Sequence, residues 1–188
     1  MAEIIEEIQA RRARRALDWN KEIPAETVDR IIEAAHLSAS CSNKQPWRYL
    51  IADADPVRAR LQDCLLGGNY WARHAPVLIG VATRNSDDCQ LNENRDYALF
   101  DTGMATAHLI LQATREGLYA HPMAGFNATK MKQEFSLPED VIPVTIVALG
   151  YPGSSEHLNE KHLESEHSER SRVPISEVAS RERFLYEE

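Results

Sequence analysis

Ser38-Ala39-Ser40-Cys41-Ser42-Asn43-Lys44-Gln45-Pro46-Trp47 sits between two segments whose apolar residues recur with different periods. Upstream, Val28, Ile31, Ile32 and Ala35 fall at i, i+3, i+4 and i+7 after Pro24, the spacing of one buried helix face. Downstream, Arg48 to Ala52 reads as a strand. The ten residues between them form a helix-to-strand loop rich in small hydroxyls and amides. Ser40, Asn43 and Gln45 offer both donors and acceptors there, which suits the heteroatom edge of a planar ring better than a lone phosphate or a metal. An ordinary Ser/Asn turn closed by Pro46 is the competing reading, and this stretch alone does not separate the two.

The wider composition narrows the choice. A chain of 188 residues, 43% hydrophobic, suits one domain with one sizeable core. Its 21 Lys and Arg against 29 Asp and Glu give a net charge of -8, which argues against nucleic acid or an anionic membrane as partner. Cys41, Cys64 and Cys89 are odd in number and form no Cys-x-x-Cys pair, so neither a disulfide framework nor a zinc ribbon is expected. With an acidic N-terminus and no membrane-length apolar run, the reading is a soluble protein of a reducing cytoplasm.

In such an acidic chain, two basic clusters need a local explanation. Ile4, Ile5 and Ile8 predict a short helix leading into Arg11-Arg12-Ala13-Arg14-Arg15, four guanidinium groups in five positions. They either share an anion, for which the planar fork of Arg is well matched to phosphate oxygens, or form a solvated basic helix end. Arg170-Ser171-Arg172-Val173-Pro174 repeats the theme far along the chain, after a polar, acidic arm from Ser154 to Glu169.

Between the clusters, Asp55-Pro56 is expected to cap a helix carrying Val57, Leu61 and Leu65, and Pro76 to Ala82 reads as a buried strand. Asp96 to Gly117 is the longest helical pattern, with Leu99, Gly103, Met104, Ala107, Ile110, Leu111 and Thr114 expected inward. Its small residues permit close helix approach, either within the chain or across a dimer seam. Leu118 to Met123 should be a strand, Ala124-Gly125-Phe126-Asn127 a tight turn, and Val144 to Leu149 a strand stopped by Gly150-Tyr151-Pro152-Gly153. Gly125 either satisfies the turn or lets a backbone N–H approach a flat ligand.

Familiar catalytic motifs do not occur: no Gly-x-Gly-x-x-Gly after a strand, no P-loop, no Gly-x-Ser-x-Gly elbow. His157, His162 and His167 recur every five residues, a spacing that does not align them on a helix face, so no metal site is expected. Cys41, with no neighbouring His or second Cys, reads as a small packed side chain. One ligand can nevertheless account for the scattered features together. Its phosphate takes the arginines, its heteroaromatic edge Ser40, Asn43 and Gln45, and its ring lies against Ala124-Gly125, which is the form of flavin mononucleotide (FMN).

The same segments carry a resemblance to the FMN-dependent nitroreductase family. The matching pieces are Arg11 to Arg15, the loop from Ala39 to Trp47, Pro122 to Phe126, the Leu-Gly-Tyr-Pro turn at Leu149 to Pro152, and Arg170 to Pro174, so the likeness runs from Arg11 to about Ala179. It implies an α+β, nitroreductase-like fold over residues 1–188, with a central mainly antiparallel sheet flanked by helices. It also implies an intertwined homodimer, FMN at the subunit interface and residues 154–188 as a C-terminal arm packed on the second subunit.

Carried over position by position, Arg11 and Arg172 would hold the phosphate with Arg12 and Arg170 nearby. Ser40, Asn43 and Gln45 would reach the cofactor from the second subunit, Ala124 and Gly125 would present N–H groups near flavin N5, and Arg15 would lie beside N1. Asn69 corresponds more loosely to a family asparagine. Ala13 and Ala39 depart from the family serine and proline, removing a hydroxyl from the phosphate shell and a constraint from the loop entry. The implied reaction passes hydride from NADH or NADPH through the flavin to a small acceptor such as a nitroaromatic or quinone by ping-pong kinetics, with no side chain required as nucleophile. A non-catalytic flavin-binding sensor or storage protein, or a specialised flavin reaction such as reductive dehalogenation, are the alternatives.

Overall fold

The computed structural model describes residues 3–186. Its centre is a four-stranded sheet in the order β1 (Arg48–Ala52), β2 (Val77–Arg84), β6 (Val141–Gly150), β5 (Tyr119–Met123), every neighbouring pair antiparallel. A two-residue hairpin, β3 (Gln90–Leu91) with β4 (Arg95–Asp96), stands apart. Helices cover both faces of the sheet, which is why β2 reads as an unbroken apolar run and not as an alternating one.

On one face Val77, Ile79 and Val81 of β2 and Val147 and Leu149 of β6 meet Val28, Ile31 and Ala35 of α2 (Ala25–His36) and Leu109 and Ala113 of α4 (Ala98–Arg115). On the other, Leu78, Ile146 and Ala148 meet Leu61 of α3 (Val57–Gln62), Trp71 of a 3-10 segment (Gly67–His74), Met131 of α5 (Ala128–Glu134) and Leu158. Successive residues of β2 and β6 thus point into separate cores, as the two-residue period of a strand requires.

The inward face of α4 is not the one expected. Ala98, Asp101, Thr102, Ala105, Thr106, Leu109 and Ala113 are buried, whereas Leu99 is 50% and Phe100 61% exposed, and Gly103 and Ala107 face solvent. A helix with apolar residues on more than one side does not announce which stripe meets its own core. Nor does Asp55 cap α3: Pro56 occupies that position without a side-chain bond, and the Asp55 carboxylate lies 3.7 Å from Arg58. The C-terminal region divides in two. Asn159 caps α6 (Glu160–His167), accepting from the His162 N–H at 2.9 Å, and the helix is held to the body by a 2.7 Å bond from the Asn159 N–H to the Tyr70 hydroxyl. Residues 169–186 are exposed throughout. Among the described residues no helix is long and apolar enough to cross a membrane.

Candidate functional site

The arginines of the two termini meet. Helix α1 (Glu6–Ala10) ends before the cluster, and the chain runs extended from Arg11 to a bridge between Leu17 and Pro152. The Gly153 N–H donates to the Ala16 carbonyl and the Asp18 N–H to that of Tyr151, each at 2.8 Å. This clamp demands glycine, since a Cβ at Gly153 would lie 2.4 Å from the Asp18 nitrogen. From the far end of the chain, the Arg170 guanidinium donates to the carbonyls of Ile8, Gln9 and Arg11, while Arg12 donates to the Ser168 carbonyl at 2.5 Å. Burial, and then the charges of Arg170, Arg172 and Arg12, push the Arg11 guanidinium below its usual range. Among the described residues, none of these four arginines forms an ion pair with a carboxylate. Gathered like charge without counter-charge is the electrostatic signature of an anion seat.

Arg15 stands at the inner edge of this cluster. Its N–H donates to the buried Glu166 carboxylate at 2.8 Å, tying it to α6, and its guanidinium lies 6.0 Å from the Trp71 ring centroid. Trp71 packs on His121, whose Nδ1 is 3.0 Å from the Arg14 carbonyl. A carbonyl only accepts, so Nδ1 carries the proton. Burial, reinforced by the charges of Arg15, His162 and Arg11 and opposed by the bond to Arg14, pushes the His121 imidazole down to about 4. A neutral ring thus supports the fixed cation.

Asn69 and Gly125 are directly joined. The Asn69 side-chain N–H donates to the Gly125 carbonyl at 2.8 Å, and the Leu66 N–H donates to the same oxygen at 3.0 Å. A Cβ on Gly125 would lie 2.8 Å from Asn69 Nδ2, so the glycine serves the close approach of that amide. Among the described residues the N–H groups of Ala124 and Gly125 have no acceptor. Two free donors on a turn edge can face a ring acceptor.

The loop from Ser40 to Gln45 is wound tightly on itself. Ser42, Asn43 and Gln45 lie at φ of 50°, 57° and 52°, left-handed conformations that cost a non-glycine residue about 1 kcal/mol or more each. Ser40 Oγ accepts from the Gln45 N–H at 3.0 Å, and the Gln45 side-chain N–H donates to the Asn43 carbonyl at 2.9 Å. The Cys41 N–H donates to the Asp101 carboxylate at 2.6 Å, anchoring the loop to the first turn of α4. Against expectation, Cys41 is not a free packed thiol: it forms a disulfide with Cys89, and only Cys64 remains free and buried. The odd cysteine count concealed this pair because spacing along the chain does not reveal which residues the fold brings together. Asp88 and Asp101, Trp71, His121 and Glu166 also escaped sequence reasoning, since nothing local distinguishes a buried carboxyl or ring from an exposed one.

The hydroxyl and amide loop and the segment that leads into the first arginine cluster are attached to opposite ends of α4. The loop is bonded at Asp101, and α1 is bonded at the far end by a 2.6 Å ion pair between Glu7 and Arg115. At a rise of 1.5 Å per residue, those anchor points are about 20 Å apart along the helix. A cavity of about 830 Å³, lined in part by Trp19, Asp55, Arg58, Arg73 and His74, contains none of the cofactor residues expected from the sequence.

Comparison with known proteins bears directly on this arrangement. A Mycolicibacterium smegmatis protein described as an uncharacterized 15.4 kDa protein in the ask 5′ region is 35% identical over 126 residues, 67% of this chain and 83% of its own length. A Methanothermobacter thermautotrophicus protein, provisionally named NADH dehydrogenase/NAD(P)H nitroreductase, is 27% identical over 158 residues, 81% of this chain and 79% of that protein. A solved structure described as an oxidoreductase containing FMN matches with a TM-score of 0.87 and 30% identity, covering 97% of this chain and 93% of that one. The family model described as "Nitroreductase family" matches residues 8–69 and 57–151, a span that takes in the first arginine cluster, the hydroxyl and amide loop, Asn69, Gly125 and the clamp at Tyr151. On these matches, with the sheet and helices described above, the chain belongs to the nitroreductase family.

Proposed function

We propose that this chain is an FMN-dependent oxidoreductase that takes a hydride equivalent from NADH or NADPH and delivers it to a small organic acceptor such as a nitroaromatic or quinone. The observation that carries this reading is the convergence of Arg11, Arg12, Arg170 and Arg172 without a carboxylate. Arg11 and Arg172 would hold the phosphate, while Arg12 and Arg170 brace the peptide carbonyls around it. Arg15, backed by Trp71 and neutral His121, supplies a fixed positive charge for an electron-rich ring edge. The free N–H groups of Ala124 and Gly125 orient the ring, and Asn69 holds their turn in place. When bound, FMN supplies the two-electron chemistry, accepting from one substrate and giving to the next in ping-pong order. The protein contributes seating, orientation and electrostatics.

The active unit under this proposal is a homodimer. Ser40, Asn43 and Gln45 belong to the end of α4 remote from the arginines, so a second copy would bring its loop to the first copy's ligand. The exposed stripe of Leu99, Phe100, Gly103 and Ala107 and the uncovered Val173, Ile175 and Val178 are the apolar surface that such a partner would bury.

The test is direct. Freshly purified protein is heat-denatured and the released chromophore identified by absorbance and mass, and the intact protein is mixed anaerobically with NADH or NADPH. Release of FMN and bleaching of the yellow colour are expected. A protein that binds no flavin overturns the reading, and one that stays yellow is a flavin binder without this activity.

A further inference from the structure

The Cys41–Cys89 bridge plays no part in the reading above, yet it closes the loop on which Ser40, Asn43 and Gln45 stand. Both cysteines are partly exposed. Asp88, 4% exposed, adjoins the bridge. Its Oδ1 accepts from the Cys89 N–H at 2.7 Å, whereas Oδ2 is buried and among the described residues receives no hydrogen bond. A carboxylate oxygen of Asp88 and the two sulfurs all lie within 4.8 Å of one another. Burial, and the Asp101 carboxyl from α4 facing it, push the Asp88 carboxyl up against the Cys89 N–H bond and the charge of Lys44. A protonated carboxyl beside a disulfide can donate to a departing sulfur.

We propose that Cys41–Cys89 is a reversible thiol–disulfide exchange site, opened by a dithiol with Asp88 as proton donor, and that its opening releases the cofactor loop. A thiolate of the dithiol attacks one sulfur of the bridge, the S–S bond breaks, and the departing cysteine takes its proton from Asp88. The second thiol of the reagent then displaces the first cysteine. The reagent leaves as a disulfide, its two protons and two electrons now residing on Cys41 and Cys89, and Asp88 recovers its proton through solvent.

Opening matters because the loop is held in an unfavourable conformation. Ser42, Asn43 and Gln45 persist at positive φ only while their surroundings fix them. With the bridge cut, the Asp101 bond to Cys41 and the short loop bonds remain as restraints, and the loop samples conformations in which Asn43 and Gln45 no longer face a ligand. The inference rests on the proposed FMN site, and its test keeps the two apart.

Intact protein is prepared oxidised, and a second portion is reduced with dithiothreitol, freed of reagent and kept anaerobic. Thiols are titrated after denaturation, and FMN affinity is measured by fluorescence quenching. One thiol per oxidised chain and three per reduced chain are expected, with FMN binding at least tenfold weaker after reduction and restored on reoxidation. Cys89→Ser should bind FMN like the reduced protein and ignore dithiothreitol, and Asp88→Asn should slow reduction by about tenfold or more. Equal FMN affinity in the two wild-type states overturns the coupling. Three thiols in protein purified and held under air overturn the bridge itself. Failure of both states to bind FMN while the thiol counts hold sinks the proposed function, and the coupling with it, but leaves the exchange site standing.

Discussion

Acidification should destabilise this fold through His121 by an amount that can be calculated. The ring is buried against Trp71 and donates to the Arg14 carbonyl, and its folded-state pKa lies at about 4 against an ordinary value of 6.5. The unfolded chain therefore binds a proton here that the folded chain refuses. The stability associated with the neutral ring is complete above pH 6.5 and is lost as pH falls toward 4. Integrating between these values gives a loss of about 2 kcal/mol by pH 5 and about 3 kcal/mol by pH 4, relative to pH 7.5. Urea unfolding at pH 7.5, 6, 5 and 4.5, read by Trp fluorescence, measures the wild-type slope. His121→Asn keeps an N–H where Nδ1 stands but does not titrate. Its stability starts about 1–2 kcal/mol lower, from the lost contact with Trp71, and falls less steeply with acid. Carboxylates that titrate in the same window act in both proteins and cancel in the difference. Parallel slopes for the two proteins from pH 7.5 to 4.5 would refute the argument.

Arg172→Ala and Arg11→Ala should each weaken FMN binding by about tenfold to a hundredfold, by removal of a charge-assisted phosphate contact. The flavin-free protein should melt no lower than wild type, because mutual repulsion among the guanidinium groups is relieved, and calorimetry with and without FMN separates the two effects. Gly125→Ala places a Cβ at 2.8 Å from Asn69 Nδ2, so the amide must leave the Gly125 carbonyl. FMN affinity should fall severalfold with a loss of about 1 kcal/mol in stability, read by quenching titration and urea midpoint. Gly153→Ala meets backbone atoms of Leu17 and Asp18 and should cost about 2 kcal/mol or more, seen as a lower melting temperature. Phe100→Glu puts a charge on the exposed face of α4, and if the proposed dimer forms there, light scattering should show its loss together with weaker FMN binding.

Legibility followed physical locality. The strands of the sheet and the amphipathic α2 were visible because their periods are written into adjacent residues, and β2 declared its two-sided burial through an unbroken apolar run. The first arginine cluster was visible because four like charges in five positions need a local explanation in an acidic chain, and Arg170 and Arg172 repeat the theme with two. By contrast, α4 displays apolar residues around much of its circumference, so its pattern could not say whether Leu99 or Ala98 faced the core. The Cys41–Cys89 pair and the Asp88–Asp101 contact join residues 48 and 13 positions apart, and only the closed fold determines that they meet. For the residues proposed to hold the cofactor, composition offered plausible donors, while the order of several weak motifs along the chain supplied the proposal.

The proposed dimer would account for both the exposed stripe on α4 and a site divided between two copies. If the stripe were merely tolerated surface, nothing would require the loop at the start of the helix and the arginines anchored near its end to act on a common ligand. If a second copy covers the stripe in the opposite orientation, the start of one α4 comes beside the end of the other. The separation of about 20 Å within each chain then becomes proximity between chains. The same contact would bury Leu99 and Phe100, the largest apolar side chains that α4 leaves in solvent. Burial of the stripe and completion of the site are thus one event, and a variant that stays monomeric yet binds FMN with full affinity would break that identity.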